Sequence, residues 1–159
     1  MRRLQSFLLL AACTAQPSAD DTALVRAHVL ANARDTFREP SGALKYKYLV
    51  PAGPYNECWE WDSFFMSRAL KNYGVLPYAI GTFQNFLALT NVSTGELPGC
   101  VTPGGPTQTL YHAKPLIIQG ALLAARAAGN LSIYKEFQPQ CVCVGRHARG
   151  ARPRPRTPL

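Results

Sequence analysis

Both tryptophans of the chain, Trp59 and Trp61, fall within the eleven residues Tyr55–Phe65, YNECWEWDSFF. Three of the nine acidic residues, Glu57, Glu60 and Asp62, are interleaved with them, although only 16% of the chain is charged. A sugar presents axial C–H groups on one face and hydroxyls at its rim, so a site for it needs flat rings beneath and carboxylates or amides around the edge. Tyr55, Trp59 and Trp61 with Asp62 supply both ingredients. The same residues admit a second arrangement, in which the indoles fill a core and Asp62 caps a helix.

The elements that must position these residues can be read on either side of them. Pro51, Gly53 and Pro54 turn the chain immediately upstream. Downstream, WDSFFMSRALKNYG, Trp61 to Gly74, reads as a helix with Asp62 or Ser63 in its first turn and Gly74 as its stop. Phe65, Ala69 and Tyr73 form one apolar line along it, with Met66 and Leu70 beside them. Asp62, accepting bonds from two adjacent sugar hydroxyls, would also lie at the positive helix terminus.

An earlier helix is expected from Asp20 to Arg38, with apolar residues at Leu24, Ala27, Leu30 or Ala31 and Ala33, acids at its start, and Pro40 and Gly42 as its stop. ALKYKYLV, Ala43 to Val50, alternates with period two, as a short strand or extended loop does. A third helix runs from about Pro77 to Leu89, and its few charges point to burial on most sides. Thr90 to His112 is rich in turn formers and too long for a mere connector, so it is expected to wrap a site. A fourth helix is expected from Lys114 or Pro115 to Ala128, ended by Gly129 and Asn130, and a fifth begins at LSIYKEF.

The formal net charge of +8 invites a nucleic-acid reading until its placement is considered. Five arginines crowd the last fourteen residues, and Arg2 and Arg3 open the chain. Between Gln16 and Gln140, ten basic residues face all nine acidic ones, so the body is nearly neutral and lacks the basic face that nucleic acid requires.

Residues 1–15 have the three-part layout of a secretory signal: two arginines, an apolar run from Phe7 to Ala12, and small residues around Ala15. An ordinary apolar first helix is the other reading. The run is too short for a stable membrane span, so an exported protein is expected; LAAC, Leu10 to Cys13, would also suit a lipoprotein attachment site. The sequons at Asn91 and Asn130 agree with export. In an oxidising compartment Cys58 and Cys100 are available to pair, and two buried free thiols are the alternative. The CVC at Cys141–Cys143 lacks zinc-knuckle spacing and the three histidines are scattered, so neither a metal site nor a cofactor is expected. The domain is placed at residues 16–138. Residues 139–159 read as a disordered Arg/Pro-rich tail, as a reading frame lost near Gln138 would leave.

YNECWEWDSFFMSRAL, followed by GELPGCVTPGG and HAKPLIIQGALLAA, resembles the opening portion of the (α/α)6-barrel glycoside hydrolases, the group with trehalases, processing α-glucosidases and mannosylglycerate-hydrolase-like enzymes. The W-x-WDS-F signature, the turn-rich G-x-[IL]-P segment and a later "PP"-type helix start occur in that order, over roughly Thr22 to Phe137. The resemblance implies an all-α fold of antiparallel helical hairpins, an incomplete portion of an (α/α)6 toroid. It implies an enzyme that cleaves an α-O-glycosidic bond with inversion, acting on a small carbohydrate or glycoside. It places Tyr55, Trp59, Trp61 and Asp62 around the sugar whose bond is cut, and Lys114 at a pocket position where the family commonly has Gln; here KPL replaces QPP.

The family's acid and base lie downstream of this region. Inverting hydrolysis needs two carboxyl groups roughly 6.5–9.5 Å apart. Asp62 would hold substrate, Glu57 and Glu60 are its neighbours and Glu96 lies in the long loop, so no catalytic pair is assigned and the chain is expected to be inactive as given. A secreted carbohydrate-binding module without catalysis is the reading from a different class.

Overall fold

The computed structural model describes residues 18–70, 73–107 and 116–142. They fall into two compact units that divide after Arg34. The signal reading at residues 1–15, Lys114 and residues 143–159 of the tail lie outside the described residues.

The first unit is built on helix α1, Ala19–Ala33. It opens with a capping box. The Ser18 hydroxyl accepts the Asp21 amide at 3.0 Å, and the Ser18 amide donates to the Asp21 carboxylate at 3.1 Å. The Ser18 hydroxyl, 2.8 Å from the Asp21 carboxylate, and then the Ser18 amide hold the Asp21 carboxyl below its ordinary range. The expected continuation to Arg38 does not occur. A 3-10 turn over Arg34–Thr36 follows instead, and then strand β1, Phe37–Arg38.

In the second unit β1 pairs antiparallel with β2, Tyr48–Leu49, Phe37 opposite Leu49 and Arg38 opposite Tyr48. Strand β3, Cys58–Trp59, runs without a linker into helix α2, Glu60–Leu70. Helix α3, Leu76–Ala88, follows with Pro77 in its first turn. The long loop then contributes a hairpin, β4 at Cys100–Thr102 and β5 at Gly105–Thr107, turned by Pro103 and Gly104. Helix α4, Leu116–Ala127, ends in a Schellman motif: Gly129 takes φ +65° and donates to Arg126 O, and Asn130 donates to Ala125 O. Helix α5 covers Ser132–Glu136, and a further helical turn spans 138–142.

The expectation of an all-α array of helical hairpins is therefore corrected. Among the described residues the fold is mixed α/β, with five α-helices and two antiparallel sheets of two and three strands, the second ordered β3-β4-β5. Strands this short carry too few residues to show a period of two. They exist because residues distant in sequence complete their ladders, Cys58 with Val101 and Cys100 with Thr107. Pro106 is tolerated because β5 is an edge strand.

The core lies where α3 and α4 cross, around Phe83, Phe86, Leu87, Ile117 and Ala121, and is closed by Leu44, Tyr48 and Val50 of the extended segment. Close approach is bought with glycine at two points. A β-carbon at Gly120 of α4 would run into the Phe83 ring, and one at Gly81 of α3 would run into the Lys47 carbonyl. The extended segment is held to α3 by two buried polar side chains. Asn85 accepts the Tyr46 amide at 3.1 Å and donates to the Tyr46 carbonyl at 3.0 Å; the Thr82 hydroxyl accepts the Leu49 amide at 2.8 Å. These side chains act as the missing neighbouring strand. No helix among the described residues is long and apolar enough to cross a membrane.

Candidate functional site

The β3–α2 corner places the signature residues. Directly opposed residues of a ladder share a face and successive residues alternate. Cys58 and Val101 therefore share one face, which is buried in the core, while Trp59, Cys100 and Thr107 share the other. The ladder extends one residue into the helix, because the Glu60 amide donates to Gly99 O at 3.1 Å. The sheet thus sets the rotational phase of α2. Glu60, Ser63, Phe64, Ser67 and Leu70 turn inward, and Trp61, Asp62, Phe65 and Ala69 turn outward.

This phase corrects the reading of α2 from its apolar line. Phe65 is 55% exposed, whereas Ser63 and Ser67 are buried. Asp62 is not the N-cap, since the helix begins at Glu60; it lies in the first turn, where its charge complements the helix dipole. Trp61 is not core filling: it is 49% exposed, and its ring stands 6.3 Å from that of Phe65, one helical turn along. Phe65 in turn meets Phe64 edge-on at 5.4 Å. Trp59 is half-buried and Asp62 exposed.

Tyr55, 44% exposed, lies on a loop held by Arg38. The Arg38 guanidinium donates to the carbonyls of Asp35 at 2.8 Å, Phe37 at 3.0 Å, Tyr55 at 2.9 Å and Gly53, and at 3.4 Å to the Asn56 side chain. Four carbonyls around one planar fork make Arg38 the organiser of the Pro51–Asn56 turn. The sequence carried no signal of this role, since the acceptors are backbone atoms. Phe65 was also outside the set of candidate site residues, although its i, i+4 spacing from Trp61 was a usable signal.

Cys58 and Cys100 do not bridge. They stand on opposite faces of the same ladder, and both are buried free thiols. Burial pushes the Cys58 thiol far up, with smaller contributions from Cys100 and Glu57; burial also raises Cys100, partly offset by its hydrogen bond with Thr107. Tyr46 and Tyr48 are raised chiefly by burial, and Tyr78 chiefly by its hydrogen bond to Glu39. Each of these groups keeps its proton more firmly folded than unfolded. Near pH 9–10 the unfolded chain therefore binds fewer protons, and stability falls as pH rises. Thermal melts should be level near pH 8 and drop by roughly 5 °C or more by pH 10.5; a flat profile across that range would contradict the sign.

Among the described residues no group of three or more His, Cys, Asp or Glu side chains could hold a metal ion. Most of the acids have structural partners. Glu39 accepts the Tyr78 hydroxyl at 3.0 Å and pairs with Lys47 at 3.2 Å; Glu136 accepts the Tyr46 hydroxyl at 3.1 Å; Glu96 accepts the Thr94 hydroxyl at 3.2 Å. The fold and site together define a small mixed α/β domain with an outward-facing aromatic and carboxylate surface on its second helix. Compared with family models, curated proteins and solved structures, the chain matches none.

Proposed function

We propose that the surface carrying Trp61 and Asp62, with Tyr55 and Trp59 near it in sequence, binds a small carbohydrate or glycoside. The observation that carries this reading is the exposure of Trp61: an indole kept half in water, beside the exposed ring of Phe65 and the exposed carboxylate of Asp62. Flat apolar faces next to an ionised acceptor suit the C–H face and rim hydroxyls of a sugar. The resemblance of the Trp59–Phe65 signature to glycoside hydrolases supports the same ligand class, and in that reading the chain is the sugar-holding part of an enzyme that cleaves an α-O-glycosidic bond with inversion. We assign no acid–base pair to its carboxylates, so binding without hydrolysis is expected. Export belongs to the same proposal, supported by the layout of residues 1–15 and by the exposure of both sequon asparagines, Asn91 and Asn130.

Titration with glucose, trehalose and mannosylglycerate, followed by tryptophan fluorescence, tests the reading. A saturable response to at least one of them is expected. Trp61→Ala should weaken it roughly tenfold, as loss of about 1.4 kcal/mol of ring stacking does, and Phe65→Ala should weaken it less. A folded protein that responds to none of the three sugars, or a Trp61→Ala variant that binds as the parent does, would remove the proposal.

A further inference from the structure

Helices α2, α3 and α4 enclose a cavity of about 320 Å³ that shares no residue with Tyr55, Trp59, Trp61 or Asp62. Its size is at the lower end for small-molecule sites. The floor is apolar and buried, formed by Phe64, Ala79, Gly120 and Ala124. One polar group lies among them. The Ser67 side chain is only 7% exposed, and its hydroxyl has no hydrogen-bond partner. A buried hydroxyl without a partner is destabilising, and native interiors seldom leave one so.

The exposed mouth carries two cations, Arg68 and Arg126, and no acidic residue lines the cavity. Among the described residues neither arginine is in an ion pair; the Arg68 guanidinium instead lies 5.8 Å over the Phe64 ring. A purely apolar partner would leave the Ser67 hydroxyl and both charges unanswered. A sugar would find little to bond with on the apolar floor. A ligand with an apolar tail and one negative head answers all three features, because its carboxylate can pair with a guanidinium fork and accept the serine proton while its tail covers the floor.

We propose that this cavity is a binding site for a medium-chain aliphatic carboxylate, with the tail on Phe64, Ala79 and Ala124 and the head held by Ser67, Arg68 and Arg126. The site is independent of the carbohydrate reading. Calorimetric titration of the full chain with octanoate, hexanoate and octanol tests it. Octanoate should bind, hexanoate should bind more weakly by roughly fourfold per methylene removed, and octanol should bind at least tenfold more weakly than octanoate. The double variant R68Q/R126Q changes two exposed residues and should keep the parent melting curve. It should lose at least tenfold in octanoate affinity with octanol unchanged. S67A should weaken octanoate while leaving octanol unchanged. The proposal is overturned if octanol binds the parent as tightly as octanoate, if the double variant retains octanoate affinity, or if the folded parent binds no octanoate.

Discussion

Asn85→Ala is expected to destabilise the protein by about 3 kcal/mol, the cost of leaving two backbone groups of one buried segment without partners. The Asn85 side-chain amide bonds both the N–H and the C=O of Tyr46, and Asn85 itself is buried inside α3. Truncation also opens space at a fully buried position, so the surrounding chain must either admit water or collapse. Thr82→Val keeps the shape and removes the acceptor for the Leu49 amide together with the hydroxyl donor to Tyr78 O, leaving one buried N–H without its partner, so it should cost less, about 1–2 kcal/mol. Urea denaturation measures both. If Asn85→Ala unfolds within about 0.5 kcal/mol of the parent, ordered water has replaced the amide and the clamp is not its role.

The second large effect is expected at Arg38. Arg38→Ala removes the donor to four carbonyls and to Asn56, and should cost about 2–3 kcal/mol, reduced from the sum of its bonds because the guanidinium is partly solvated. Arg38→Lys should recover only part of that loss, since a single ammonium cannot address acceptors set around a planar fork. Amide exchange localises the effect: protection should fall in residues 51–56 and at the Val50 amide, which donates to Thr36 O at 2.9 Å. Because Tyr55 rides on this loop, sugar affinity should fall in Arg38→Ala as well. An exchange pattern unchanged in 51–56 would show that the turn holds its shape without the guanidinium.

Local chemistry is where sequence and structure agree. The α3 boundaries shift by one residue from the expected Pro77–Leu89, and α4 ends at the expected Gly129 and Asn130. Caps and stops act within one helical turn, so they can be read from neighbours in the chain. The helix expected from Asp20 to Arg38 is cut short for the opposite reason. Phe37 and Arg38 gain a ladder with Tyr48 and Leu49, a competing partner that no local pattern announces. The hairpin inside the long loop was hidden in the same way, with strands of three residues and a proline in one of them.

The sequence by itself determined that two indoles and a carboxylate would fall at the start of a helix, because their spacing and the turn before them are covalent facts. Which of them faces water was decided only in three dimensions. The pairing of Cys58 with Val101 and Trp59 with Cys100 orients the first residue of α2, and that orientation outweighs the helix's own apolar line, turning Phe65 and Trp61 out and Ser63 and Ser67 in. A short helix joined rigidly to a strand takes its phase from the strand's ladder, whose hydrogen bonds reach residues some forty positions away.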